Sequence, residues 1–440
     1  MESLVLTHAN RYFAHLRNLA ALPSVFTRPG DVEHAMAYCK TALSSALSGY
    51  TIREDKGKNL LALPGSIDRQ KPIVYLSAHV DTVDADKTEW DAPFSPFEPY
   101  EDEAELVGRG VSDCKAGVAF QLFLAELAGA GELCLENLIF TVTFKEEGAG
   151  DKSAAHIGRD LGKSLPVSEA ETLLFVLENT VTTGESPCLG LYTAERSNFV
   201  IEVTGPLAEL RRTLDHLPSW NPVCIYPDTP PDAWPETLTQ KGGHVCSVPR
   251  DKNRLTDIIL TAENSDLLCA GTPDSFGVIP TEIKRGNAPE PTAHTLVLSN
   301  RTFDGLASVR RQLTGLCYRE LKAFSISPGM DMRNRWAGST LQRAVDAMGT
   351  QPLPVTLDHN TGISDASTIV NTMAPPLADR FFPVVIGPGT RSQRQATPQR
   401  LTHGKNETFD KKTGIQGTSV IFNLLKKLHF IKHPTNQKIC

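Results

Sequence analysis

Two ionisable side chains follow a hydrophobic run early in the chain. The run from Ile73 to Leu76 leads into "SAHVDTV", which places His79 and Asp81 two residues apart. Residues i and i+2 of a strand share a face, so this spacing would set them side by side at the strand's carboxyl end. An aspartate beside an imidazole can fix its tautomer and orientation, as metal-binding histidines require. Taken alone, the motif also fits an ordinary hydrogen-bonded pair.

Carboxylates stand at further positions of this kind. Asp113 follows the glycine-containing turn "VGRG" and precedes a helical pattern, so it is either an N-cap or a bridging ligand. Glu146 and Glu147 follow the apolar run "TVTF", and adjacent carboxylates repel each other unless a cation or proton intervenes. One could bind a metal while the other serves as a general base; solvated surface charge is the alternative. Glu178 ends the apolar run "LLFVL" in the same way.

Alternating strands and helices would bring these residues together. Apolar runs predict strands at "NLLALPG", "PIVYLSAHV", "NLIFTVTF" and "TLLFVLEN", and "CKAGVAFQLFLAELAGAG" predicts a buried helix. The i, i+3, i+4 spacing in "DVEHAMAYCKTALSSAL" predicts an outer helix. Such alternation is typical of a mostly parallel sheet covered on both faces, which carries its chemistry at the carboxyl ends of its strands.

The length of 440 residues predicts two cores. Near Ser197 the pattern changes to the period-two strand "NFVIEVTG", and after Gly305 the segment "LASVRRQLTGLCYRELKAF" reads as helical again. We therefore predict an α/β fold with a mostly parallel central sheet and helices on both faces. It would be formed by residues 1–196 and 307–440 and interrupted by a smaller α+β lid at 197–306.

Composition narrows the class of protein. Charged residues make up 22% of the chain, the net charge is −7 and no basic stripe is present, which argues against nucleic acid and membrane partners. The first residues lack the features of a signal peptide, and no apolar run is long enough for a membrane helix. The nine cysteines are scattered without a C-x-x-C pair. This pattern predicts reduced thiols in a cytoplasmic protein, without a disulfide framework or a structural zinc site.

Five blocks in one order carry a family resemblance. "SAHVDTV", "GRGVSDCKAG", "FKEEGAG", "LENT" and "GPG…THGKNE" resemble the ligand blocks of the cocatalytic dizinc hydrolases. That family includes acetylornithine deacetylase, succinyl-diaminopimelate desuccinylase, aminoacylase, carnosinase-type dipeptidases and glutamate carboxypeptidase. The resemblance implies that Asp81 orients a ligand, that Glu146 is the general base, and that the metal ligands are His79, Asp113, Glu147, Glu178 and His403. His79 and Glu178 would bind one ion, Glu147 and His403 the other, and Asp113 would bridge them.

The resemblance also implies a cofactor and a reaction. Imidazole and carboxylate ligands suit zinc, and also cobalt or manganese, and two such ions can share and activate one water. The expected activity is hydrolysis of an amide bond in a small N-acyl amino acid by a homodimer that pairs through its lid. A dipeptidase or carboxypeptidase with the same site is the alternative within this chemistry. A catalytically inactive binding member of the family is the alternative outside it.

Candidate substrate contacts lie mainly in the lid. "TQKGGHVCSVP" is similar to the family's glycine-histidine block, which would make His244 an oxyanion-stabilising catalytic residue. That block usually follows soon after a strand such as "NFVIEVTG", whereas here residues 206–240 intervene, either as an insertion or because the match is accidental. Arg301 in "LVLSNRTFD" resembles the arginine that clamps the substrate carboxylate. Asn287 and Asp365 resemble other positions near the substrate.

Overall fold

The chain forms two compact units in a computed structural model. The first unit comprises Met1–Ala194, Met330–Asn360 and Ser364–Cys440, and the second comprises Glu195–Gly329 with Thr361–Ile363. The structure describes residues 4–147, 152–182, 188–195, 197–205, 222–224, 258–260, 277–285, 294–302, 319–327, 329–360, 364–392, 404–432 and 434.

Helices and strands alternate along the first part of the first unit. The helices are α1 (Leu4–Thr7), α2 (Ala9–Ala21), α3 (Pro29–Ala46), α4 (Lys115–Gly129) and α5 (Ala154–Asp160). The strands are β1 (Tyr50–Glu54), β2 (Leu60–Pro64), β3 (Ile73–His79), β4 (Tyr100–Glu101), β5 (Glu105–Val107), β6 (Cys134–Leu135), β7 (Leu138–Thr143), β8 (Thr172–Val176), β9 (Thr180–Thr182) and β10 (Leu189–Glu195).

The second unit contributes the next strands, and the chain then returns to the first unit. The second unit contains β11 (Ser197–Gly205), β12 (Pro222–Cys224), β13 (Ile258–Leu260), β14 (Gly277–Arg285), β15 (His294–Thr302) and β16 (Arg319–Ser327). The returning segment contains β17 (Met330–Asp331), α6 (Arg333–Trp336), α7 (Thr340–Asp346), β18 (Val355–Asn360), α8 (Asp365–Thr372), β19 (Phe381–Val385), β20 (Thr390–Ser392), β21 (Thr408–Asp410), α9 (Lys411–Lys427) and β22 (Ile431–Lys432).

A nine-stranded sheet organises the first unit. Its order is β1-β2-β7-β3-β8-β19-β10-β17, with β18 paired to β10. The central strands β7, β3, β8 and β19 run parallel, whereas β1, β2 and β10 pair antiparallel at the sides. Every residue of the four central strands is buried, as the apolar runs in the sequence predicted. The α/β fold with a mostly parallel sheet is therefore confirmed.

Both faces of this sheet are covered. Along β3, Val74, Leu76 and Ala78 pack in one hydrophobic cluster, and Ile73 and Tyr75 pack in another. Successive side chains of a strand point to opposite faces, so the two clusters are the two cores of the covered sheet. Helix α4 is buried along nearly its whole length, which explains why its sequence is apolar all round.

The second unit has its own antiparallel sheet in the order β14-β15-β11-β16. Strand β16 lies along β11, so the chain returns to the first unit at Met330 and not at residue 307 as predicted. The prediction that "RELKAF" continues a helix is wrong for the same reason. The hydrogen bonds offered by β11 override the local helical pattern, because tertiary pairing outweighs intrinsic propensity.

Two further expectations concern thiols and membranes. Cys134 is disulfide-bonded, so the prediction of reduced thiols throughout is wrong, whereas Cys39, Cys114 and Cys188 are reduced thiols. Within the described ranges, no helix has both the length and the hydropathy needed to cross a bilayer.

Candidate metal centre

His79 ends β3 and is almost completely buried. Its Nε2 lies 2.9 Å from Asp113 Oδ1, and its Nδ1 lies 3.0 Å from the backbone oxygen and 3.4 Å from Oδ1 of Asp81. Burial disfavours the charged imidazole, but neighbouring acidic side chains, among them Asp113 and Asp81, outweigh burial and raise the pKa of His79 well above its usual value. The surroundings of His79 thus favour a positive charge, and a divalent cation can replace that proton.

Asp113 stands in the turn before α4. The N-cap of that helix is Cys114, so Asp113 does not fill the N-cap position that was the alternative interpretation. The Asp113 carboxylate remains partly exposed beside the buried imidazole. A carboxylate that meets His79 Nε2 and still has open surface is suitably placed to bind a metal.

The loop after β7 carries Glu146 and Glu147. His79 and Thr143 are register partners, so β3 and β7 end together and the loop begins beside the imidazole. The Asp81 carboxylate accepts hydrogen bonds from the backbone N–H of Glu146 and of Glu147, each at 3.0 Å. Asp81 therefore lies against His79 and also holds the acidic pair, and the second contact was not predicted from the sequence.

Two other side chains complete the support of this loop. Ser153 Oγ accepts from the N–H of Phe144 at 3.1 Å and of Lys145 at 2.9 Å, and Asn59 Oδ1 also accepts from Phe144 at 3.2 Å. Side chains thus take up the amides of residues 144–147. The loop is held at every step from the strand to the acidic pair.

Three predicted ligands converge on one point. His79, Asp113 and Glu147 each offer a ligand atom, and these atoms lie within 4.8 Å of one another. One imidazole and two carboxylates form a donor set that suits zinc, cobalt or manganese. The residues present therefore fit a divalent cation.

The sequence match extends well beyond these residues. Residues 75–427 match the peptidase family M20/M25/M40. This chain belongs to that family. Membership confirms the resemblance drawn from the five blocks.

Individual relatives are consistent with membership of this family. A probable succinyl-diaminopimelate desuccinylase of Staphylococcus epidermidis is 32% identical over 140 residues, which cover 30% of this chain and 32% of that protein. The match spans about a third of the length of this curated relative. Human carnosine dipeptidase 1 has a TM-score of 0.60 at 18% identity, over 96% of this chain and 98% of that chain. A dinuclear metal-binding M20-family peptidase of Bacillus subtilis has a TM-score of 0.55 at 14% identity, with coverages of 96% and 98%. The two solved structures share the fold.

Glu178 follows β8, whose end lies beside β3. The Leu177 N–H donates to Ser77 O at 2.7 Å. Burial raises the pKa of the Cys114 thiol well above its usual value, and the charge of Glu178 adds to that shift. Glu178 is thus close enough to Cys114 to affect it electrostatically, but it is outside the group of three converging ligands.

The side chains of several predicted residues of the M20-family protein are outside what the structure describes. Arg301 is on β15, paired with Asn198 and Gly277, but its side chain is not described. His244, Asn287 and His403 are not among the described residues.

Asp365 begins α8 and is fully buried. Thr143 Oγ1 donates to its Oδ2 at 2.5 Å. Burial, together with the nearby charge of Glu146, raises the pKa of Asp365 to about 7. The structure therefore places this carboxylate in the interior, in contact with Thr143 at the end of β7, and its predicted substrate contact stays a prediction.

Lys152 and Glu407 are site residues that the sequence reasoning missed. The Lys152 ammonium lies 2.6 Å from Glu146 Oε1 and also contacts the Glu146 backbone oxygen. Burial opposes the charge on Lys152, but Glu146 outweighs burial and raises the pKa of the lysine. The sequence around Lys152 contains no pattern that predicts a role at the site. Glu407 could have been considered, because it follows the predicted ligand His403 by four residues in a segment that precedes a long helix.

Proposed function

We propose that the protein is a hydrolase that depends on two divalent metal ions and removes the acyl group from a small N-acyl amino acid or related compound. One observation carries this proposal: His79, Asp113 and Glu147 converge within 4.8 Å, and Glu146 stands beside them in a loop held by Asp81. In the acidic pair, Glu147 would thus bind the metal and Glu146 would be available for proton transfer.

The protein's own residues would divide the work. His79, Asp113 and Glu147 would hold the metal, with Glu178 and His403 completing the set and Asp113 as the bridge. Bound zinc would polarise the amide carbonyl and lower the pKa of water to about 7. Glu146 would take the proton of the attacking water and deliver it to the departing amine. Lys152, 2.6 Å from Glu146 Oε1, would keep that carboxylate in place.

The substrate class rests on the relatives and on predicted lid residues. The relative named succinyl-diaminopimelate desuccinylase has an N-acyl compound as the substrate in its name, which supports a deacylase over a peptidase. Arg301 would bind the substrate carboxylate and His244 would stabilise the oxyanion, while Asn287 and Asp365 would lie nearby. Dimerisation through the lid and a cytoplasmic location remain predictions from the sequence.

The test joins metal analysis with a substrate screen. The wild-type protein and Glu146→Ala are loaded with zinc, cobalt or manganese, and hydrolysis of N-acyl amino acids is compared with hydrolysis of dipeptides. We expect both proteins to bind two ions. The hydrolysis rate of Glu146→Ala should be about 10²- to 10⁴-fold lower than that of the wild type, the usual contribution of a general base. Glu136→Ala is the matched control, because Glu136 pairs with Lys432 at the surface, and it should keep wild-type activity.

Each other outcome rejects a part of the proposal. A wild-type preference for dipeptides would reassign the protein as a peptidase. Absence of bound metal, or equal rates for wild type and Glu146→Ala, would refute the mechanism. Metal binding without hydrolysis of either substrate class would indicate a binding member of the family.

A further inference from the structure

Glu407 is a fully buried carboxylate that precedes β21. Its backbone is anchored beside the segment that carries Asp113: the Gly108 N–H donates to Glu407 O at 2.9 Å, and Thr408 pairs with Val107 where β21 lies antiparallel to β5. Ser112 Oγ adds a bond to Thr408 O at 2.9 Å. The main chain around Glu407 is therefore joined directly to the turn before α4.

The side chain of Glu407 accepts hydrogen bonds from several donors of that turn. Oε2 accepts from Arg109 Nη1 at 2.9 Å and from the Gly110 N–H at 3.0 Å. Oε1 accepts from the Ser112 N–H at 2.8 Å and from the Asp113 N–H at 3.1 Å. Hydrogen bonds to an ionised acceptor are stronger than neutral ones, and here they converge on a carboxylate with no exposure to water.

We propose that Glu407 is a positioning residue for the metal centre, which sets the place of the Asp113 carboxylate through the backbone of residues 110–113. The amide of Asp113 is fixed to Glu407 while its side chain reaches His79 Nε2 at 2.9 Å. Glu407 thereby does for Asp113 what Asp81 does for Glu146 and Glu147. The inference rests on the proposed function, because it takes Asp113 as a metal ligand.

Charge and packing around Glu407 agree with this role. The Arg109 guanidinium, which is bound to Oε2, lies 5.7 Å from the centroid of the Trp90 ring. The ion pair Arg109–Glu407 is buried, so neither charge is screened by solvent. The charge of Glu407 is thus balanced within the protein, and its oxygens remain engaged by the turn.

The variant Glu407→Gln tests the proposal. Glutamine has nearly the same size, but its NH₂ group would face one of the two pairs of donors and push that part of the turn away. The full-length protein is stripped with a chelator and titrated with zinc in competition with a chromogenic chelator, and the visible spectrum of its cobalt form is recorded. We expect zinc affinity to fall 10- to 100-fold, the usual effect of losing a residue that orients a ligand, and the cobalt spectrum to change.

A purely structural role would give a different result. Leu424→Ala is the control for lost stability, since Leu424 is buried in the core near the carboxyl end of α9, away from the Asp113 turn along the chain. It should lower the unfolding midpoint while leaving zinc affinity and the cobalt spectrum as in the wild type. If Leu424→Ala weakened zinc binding as much as Glu407→Gln, the positioning role would be refuted.

A second variant keeps the test decisive if Glu407→Gln does not fold. Glu407→Asp retains the charge and withdraws the carboxylate by one methylene, so a 10-fold or greater loss of zinc affinity is again expected. Wild-type affinity in either folded variant overturns the proposal while the proposed function stands. A wild-type protein that binds no zinc instead overturns the proposed function, and this inference with it.

Discussion

Asp365 links protonation to stability at the residue scale. Its pKa is raised to about 7 by burial and by the charge of Glu146, whereas an unfolded chain would release this proton near pH 4. Between these values the folded protein holds a proton that the unfolded chain has lost. The free energy of unfolding therefore falls as pH rises from about 4 to about 7, because unfolding releases this proton, and the loss is constant above that range.

Asp365→Asn should remove this dependence. The asparagine carbonyl can still accept from Thr143, but it carries no charge to bury. In the metal-free protein, we expect the variant to gain stability relative to wild type as pH rises from 5 to 7, by up to about 1.4 kcal/mol for each pH unit. Urea unfolding at several pH values measures this gain. Asp379→Asn, at an exposed position, is the control, and a gain that does not vary with pH would contradict the assignment.

The sequence predicted the candidate residues of the site better than it predicted the hydrogen bonds that hold their backbone in place. The i, i+2 spacing put His79 beside Asp81, and the structure confirms that contact. The bonds from Asp81 to the loop at 146–147 and from Glu407 to the turn at 110–113 join residues far apart in the chain. Local periodicity contains no information on such contacts, so these roles could not be predicted.

At the scale of the elements, helix α4 packs directly against the backbone at the end of β8. A Cβ added at Gly117 would lie 2.1 Å from Leu177 O, the same oxygen that accepts from Cys114 Sγ at 3.2 Å. Leu177 immediately precedes Glu178. The absence of a side chain at Gly117 thus allows the helix that follows Asp113 to pack against the backbone that presents Glu178.

Gly117→Ala should force this contact apart. Overpacking against backbone costs about 1–3 kcal/mol, and we expect at least that loss in the free energy of unfolding. Gly30→Ala is the matched control, because Gly30 lies in the first turn of α3 with nothing within 4 Å of the added Cβ. It should be neutral or stabilising by up to about 1 kcal/mol. Chemical denaturation compares the two, and equal midpoints would contradict the packing argument.

Elements were predictable where burial alone decides them. The apolar runs of β3, β7 and β8 and the helical spacing of α3 gave the correct element types. The segment Arg319–Ser327 was predicted as helix because its own pattern is helical, yet it is strand β16. Its partner β11 begins more than a hundred residues earlier, so only the folded sheet determines its conformation.

On the scale of the whole molecule, the metal centre gathers side chains from several parts of the first unit. His79 ends a strand, Asp113 precedes a helix and Glu147 lies in a loop. The unfolded chain does not hold these ligands together, so bound metal stabilises the folded state alone.

Metal should therefore raise thermal stability. With free zinc at one hundred times its dissociation constant, we expect about 2.7 kcal/mol of added stability relative to the chelator-treated protein. His79→Ala should abolish the zinc-dependent rise in the unfolding midpoint, whereas His34→Ala, at an exposed position on α3, should retain it. Scanning calorimetry measures both, and an equal rise in wild type and His79→Ala would contradict the site.

The contact between Glu407 and the Asp113 turn has a consequence for synthesis. The two residues are 294 positions apart, so a nascent chain emerges from the ribosome with the amides of residues 110–113 long before their acceptor exists. Domains begin to fold from the N-terminal side during translation, but this turn must wait for almost the whole chain. A growing polypeptide can thus form most of the central sheet before this turn has its acceptor, so we expect the Asp113 carboxylate to reach its final position only after Glu407 has been added.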